Sequence, residues 1–203
     1  MEQLAKKTGK TYEMDMCSGP LFPKIVAFAV PLILSGILQL LFNAADIIVV
    51  GHFAGRESLA AVGSTTALIN LMINVFVGLS IGANVLVAQY SGAKKLKDLE
   101  ETVHTAMMLA LAGGFFLIFV GVFFSGPMLG LMGTPDDVLP LAALYLKIYF
   151  IGMPATLTYN FGAAILRAVG DTRRPLYFLL FAGAVNVVLN LVFVIAFSMG
   201  VAG

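Results

Sequence analysis

IVAFAVPLILSGILQLLFNAADIIVV, residues 25–50, contains a single formal charge, Asp46. A run this long and this apolar crosses a bilayer core of about 30 Å, which takes roughly 20 residues of helix. Four more runs follow, at about 60–89, 103–125, 139–166 and 175–199. The whole chain of 203 residues is 60% hydrophobic and only 11% charged, too little polar surface to cover a water-soluble domain. A membrane β-barrel needs segments of about 10 residues alternating with period two, and the runs here do not alternate. The expectation is an all-α, polytopic transmembrane helix bundle of about five spans, with the lipid bilayer as its surroundings.

Basic residues orient the bundle. Lys6, Lys7, Lys10 and Lys24 precede the first span, Lys94, Lys95 and Lys97 follow the second, and Arg167, Arg173 and Arg174 follow the fourth. The opposite side holds only Arg56 and Lys147. Cytoplasmic loops carry the excess of Lys and Arg, so the N-terminus is expected inside and, after five spans, the C-terminus outside. Residues 1–20 are too polar for a signal peptide and read as a soluble cytoplasmic leader, with residues 21–203 as one membrane domain. The net charge of +1 gives no basis for a nucleic-acid partner, and the single cysteine, Cys17, excludes an internal disulfide.

The polar residues inside the spans fall into faces. A helix turns about 100° per residue, which lines up Ser35, Gln39, Asn43 and Asp46 on the first span. Asn186 and Asn190 are four apart on the fifth, Asn70 and Asn74 four apart on the second, and Thr156 and Asn160 four apart on the fourth. Such faces turn toward a bundle interior or a wet cavity rather than toward lipid. Asp46 lies about 30 Å along its helix from the inner end, and Asn190 about 22 Å along its own. Both depths are in the outer half of the membrane. If the two helices touch, Asp46, Asn186 and Asn190 share one site. Two readings of Asp46 stand at this point. It is a functional carboxylate, since a mid-helix aspartate costs roughly 2.5–3.5 kcal/mol on insertion. Or it sits wet near the outer interface, where it costs little. For the asparagine pairs the plain alternative is interhelical hydrogen bonding.

Other patterns carry less. GLSIG (78–82) matches the nucleophile elbow around Ser80, but it lies inside an apolar helix, with His52 and His104 at span ends. Its glycines, Gly78 and Gly82, instead read as a seam for close helix packing. Two histidines and one cysteine at unrelated spacings make no transition-metal site. No phosphate- or dinucleotide-binding glycine pattern occurs. No enzyme and no cofactor are expected.

Four stretches together resemble one family: GPLFPKIVAFAVPLIL (19–34), NAADIIVVGHFAG (43–55), QYSGAKK (89–95) and RAVGDTRRP (167–175), the last followed by NVVLNLVFV (186–194). The chain is similar, from about residue 19 onward, to the N-terminal lobe of multidrug and toxic compound extrusion (MATE) transporters. That resemblance implies a partial lobe, with a sixth helix and a second lobe, or a partner chain, still to be supplied. It implies secondary active efflux of organic, cationic, drug-like compounds in exchange for H+ or Na+, in a cell inner membrane. Asp46 matches the coupling carboxylate, where Na+ is one candidate ion, and Asn186 matches an asparagine of the same cluster. Asn190 stands where many relatives have a second aspartate, which leaves the coupling ion open. Pro31 matches a first-span proline linked to helix bending. Gln39, Asn43, Asn70, Asn74 and Asn160 are candidates to line the cavity. Two other readings remain. One is a truncated membrane module without transport of its own, since alternating access needs two halves. The other is an exporter of lipid-linked precursors or polysaccharide, whose cavity is expected to carry several cationic residues.

Overall fold

The computed structural model describes residues 19–197 and 199–202. Six α-helices follow one another: α1 (Leu21–Val49), α2 (Gly55–Gly92), α3 (Leu96–Leu131), α4 (Leu139–Ile151), α5 (Met153–Ala168) and α6 (Arg173–Leu191). A π-helical turn closes α1 (Val50–Ala54) and another closes α6 (Val192–Ala196), with a final 3-10 turn at Gly200–Ala202. The described residues contain no strand. The leader expected at 1–20 falls outside the described residues except for Gly19 and Pro20.

Helix α1 passes almost directly into α2, and 72 successive residues are helical apart from one break. That break is Gly55, at φ 88 and ψ 174, a conformation a side chain would resist. The neighbours show that the chain reverses there. Phe42 and Asp46 of α1 meet Gly183 and Asn190 of α6 in the same order, so the two helices run parallel. Phe76 of α2 meets Gly113 of α3, while Pro154 and Phe150 meet Gly114 and Gly121, so α3 opposes α4 and α5. With α2 and α3 joined by the short turn Ala93–Lys95 and α5 and α6 by Val169–Thr172, successive passes alternate in direction. Five crossings result, as the hydropathy of the sequence leads one to expect.

The fourth crossing is made of two helices. Residues 139–166 read as one apolar run, and within it α4 and α5 are bent by 50° at Gly152. The stretch IGMP (151–154) explains it. Pro154 brings no N–H to the ladder, and its ring excludes the carbonyl of the preceding turn. Neither α4 nor α5 alone is long enough to span the core; together they are. Pro31, by contrast, is buried inside α1, which continues through it as one helix. The Ser35 hydroxyl donates to the Pro31 carbonyl at 2.8 Å.

The core lies between α2, α3, α4 and α5. Phe150, Phe161, Leu117, Leu146, Met153 and Leu157 are fully enclosed there. Small residues of α3, Ala106, Ala110, Gly113, Gly114 and Gly121, let the neighbouring helices close in. Helix α1 packs mainly on α6, as an arm beside this core. Large apolar side chains such as Phe22, Leu40 and Phe181 remain exposed, which suits a surface solvated by lipid.

The G-x-x-x-G reading of 78–82 is overturned. A methyl group added at Gly78 or Gly82 would meet nothing within 4 Å, so these glycines do not seat a neighbouring helix among the described residues. Their spacing matched the motif, but both glycines face open space rather than a packed helix.

Candidate functional site

The last turn of α1 and the last turn of α6 meet at one depth. Asn190 donates its side-chain amide to Asp46 Oδ1 at 2.7 Å, bridging 144 positions of sequence. The amide nitrogen has to face an ionised carboxylate, because two oxygens in contact repel, and such a charge-assisted bond is among the stronger kinds. Asp46 is half-buried, so it is neither a wet surface residue nor sealed in the core. Asn190 then presents its own carbonyl oxygen, Oδ1, buried and without a donor among the described residues. A carboxylate and an orphaned amide carbonyl side by side offer hard oxygens, the donor type that suits a proton or a hard cation.

Both members of the pair stand just ahead of a π-helical turn. Asp46 is four residues before Val50, and Asn190 two before Val192. The two turns touch each other. Wide i→i+5 turns of this kind are frequent at functional sites.

Asn186 lies one helical turn below Asn190, exposed, and it is not joined to Asp46 by a hydrogen bond among the described residues. The expected trio is therefore a pair with a neighbour. Gln39 and Asn43 continue the same face of α1 toward the inner end and are exposed. Asn70 and Asn74 are exposed on α2, and no hydrogen bond ties them to another helix among the described residues, contrary to the plain packing alternative. Asn160 is half-buried on α5.

Two tyrosines were not anticipated. Tyr145 of α4 stands close enough to Asp46 for the two to interact electrostatically, and its ring lies 6.1 Å from that of Tyr149. Their four-residue spacing on an otherwise apolar span was the available signal. Among the described residues no cluster of three or more His, Cys, Asp or Glu forms a metal centre.

A second buried carboxylate organises the inner end. Gly170, at φ 90, closes α5, with the Asp171 N–H reaching back to Leu166 and the Gly170 N–H to Arg167. Asp171, fully buried, accepts from the backbone N–H groups of Arg173 and Arg174 at 3.0 and 3.1 Å and so caps α6. Arg174 Nε lies 3.1 Å from its other oxygen, an ion pair not aligned as a hydrogen bond. The Tyr159 hydroxyl donates to the Pro175 carbonyl at 3.3 Å and ties α5 to the start of α6.

The family model MatE matches residues 31–201. The chain belongs to the MatE family. A "Probable multidrug resistance protein YpnP" of Bacillus subtilis is 31% identical over 189 residues, which is 93% of this chain and 42% of that relative. A "FAD transporter" of Shewanella oneidensis is 25% identical over 86% of this chain and 38% of its own length. Among solved structures, a transporter of the MOP superfamily from Pyrococcus furiosus superposes with a TM-score of 0.86 at 26% identity. It covers 97% of this chain, and this chain covers 43% of it. The chain thus spans about two-fifths of the length of its MatE relatives.

Proposed function

We propose that this chain supplies the N-terminal lobe of an ion-coupled multidrug antiporter, with Asp46 as the carboxylate that exchanges H+ or Na+ against an organic cation. The Asp46–Asn190 hydrogen bond carries the reading. It joins the only carboxylate inside the spans to a distant helix, at a depth where ions reach it from outside. Loading the carboxylate with a proton or a cation changes what Asn190 can donate to, so α1 and α6 are held differently in the two states. The exposed polar row of Gln39, Asn43, Asn70 and Asn74 supports a cavity wall that a second lobe, or a partner chain, completes. Asn186 stands beside the pair as a further polar group of the same site. The work is transport, with no catalytic group, in a cell inner membrane.

The test is dye efflux by the complete transporter in everted membrane vesicles, with wild type beside Asp46→Asn. Efflux driven by a pH gradient with sodium absent assigns H+; efflux that needs a sodium gradient assigns Na+. In either case Asp46→Asn is expected to lose the gradient-driven component. Undiminished, gradient-dependent efflux by that variant would remove Asp46 from the coupling role.

A further inference from the structure

One cavity lies remote from the Asp46 pair. It is a slot of about 440 Å³ between the inner halves of α2 and α3, beneath the turn at Ala93–Lys95. On α2 it runs from Leu79 to Tyr90, about 16 Å at 1.5 Å per residue. Its deep end is walled by Leu79, Leu86 and Leu109. Gly82 keeps it open, for a side chain there would stand in free space. Its mouth, at the end that the basic residues assign to the cytoplasm, is lined by Tyr90, Asp98 and Glu101.

The chemistry of the two ends is opposite. Both carboxylates are on the slot side of α3, three residues apart. Their own partners hold them loosely: Lys95 is 3.9 Å from Asp98 and Lys97 is 3.9 Å from Glu101, all four side chains well exposed. Exposed pairs at that range contribute little. The hydroxyls of Thr102 and Thr105, which also line the slot, donate to the backbone of α3 itself. Two carboxylates and an aromatic ring at the mouth therefore face a positive charge, and the leucines face an apolar body. The volume is that of a site for a drug-sized molecule. A two-chain phospholipid is far larger.

We propose that this slot binds a lipophilic organic cation, its charge at Asp98 and Glu101 and its apolar body along α2 and α3, entering from the cytoplasmic leaflet. Such a site collects cations at the inner membrane face, separate from the pair where ions are exchanged. It stands or falls independently of the coupling role of Asp46, because its test is binding and not efflux.

The experiment is equilibrium binding of tetraphenylphosphonium to the intact protein in phosphatidylcholine nanodiscs. One equivalent of saturable binding is expected to disappear in Asp98→Asn/Glu101→Gln and again in Gly82→Leu, which fills the slot with an apolar side chain. It is expected to persist in Glu100→Gln, which removes the same charge one residue away, outside the slot lining. Affinity for the missing equivalent should fall at least about tenfold, a change of roughly 1.4 kcal/mol. Absence of saturable binding in the wild type, or full binding by both slot variants, overturns the proposal. The titration is repeated with half of the lipid replaced by phosphatidylethanolamine. Unchanged binding supports a drug-sized cation. Loss of the probe there gives the slot to an amine-headed lipid and overturns the proposal as stated.

Discussion

At the scale of single residues, the hydrogen-bonded pair of the candidate site was half legible. Asp46 stands out in any reading because nothing else in residues 25–50 is charged. Asn190 was within reach as a four-residue repeat on another span, and depth along each helix put the two at similar levels. What a one-dimensional pattern cannot supply is which helix touches which, so Tyr145 on the bent fourth crossing went unseen. The bond between the pair argues for a specific outcome. In the complete transporter, Asn190→Ala strips Asp46 of its charge-assisted partner, worth about 1.5–3 kcal/mol. Gradient-driven efflux is expected to fall by about tenfold or more, with Asn190→Gln between the two. Equal efflux by Asn190→Ala and wild type would mean the bond is incidental. Asp171 makes the opposite kind of case, a buried carboxylate that is structural. Asp171→Ala uncaps α6 and leaves Arg174 without its ion pair, an expected loss of about 2 kcal/mol seen as a lower thermal midpoint in detergent. Asp171→Asn keeps one acceptor oxygen and should recover part of that loss.

At the scale of elements, hydropathy located the five crossings because burial in lipid demands long apolar runs. It passed over the bend at Gly152 because a bent helix is as apolar as a straight one, and the signal was the backbone chemistry of Pro154 rather than composition. The π-helical turns at Val50–Ala54 and Val192–Ala196 are invisible for the same reason: they change hydrogen bonding, not residue type. Two glycines separate the roles of the core and the arm. A methyl group at Gly121 would lie 2.3 Å from Cβ and Cγ of Phe150, atoms fixed close to the α4 backbone, so α3 and α4 have to part. Gly121→Ala is expected to cost about 1–3 kcal/mol, read as a drop in thermal midpoint. At Gly183 the nearest atoms are the far edge of the Phe42 ring, which can swing. Gly183→Ala should therefore unfold near the wild-type temperature. Its effect belongs in transport, since Phe42 is one turn below Asp46 and displacing it moves α1 against α6. If Gly183→Ala destabilised the protein as much as Gly121→Ala, the arm would be as rigidly packed as the core.

At the scale of the whole molecule, two independent lines give the same topology. The side-chain contacts make successive crossings alternate, and the basic residues gather at one set of ends: Lys94, Lys95 and Lys97 between α2 and α3, and Arg167, Arg173 and Arg174 between α5 and α6. The acidic pair Asp136 and Asp137 lies in the turn between α3 and α4, at the other end. The contacts do not say which end faces the cytoplasm; the excess of Lys and Arg does. The chain has one native cysteine, so the assignment is open to chemistry after Cys17→Ser. Both Lys95 and Asp137 are exposed and at opposite ends of α3, a helix of 36 residues. With a membrane-impermeant maleimide on intact cells, Asp137→Cys is expected to label and Lys95→Cys to label only after permeabilisation. The reverse pattern would invert the molecule, and with it the outer depth on which the coupling role proposed for Asp46 rests. Labelling of both in intact cells would mean that α3 does not cross, and the alternation of the other four passes would have to be rebuilt from there.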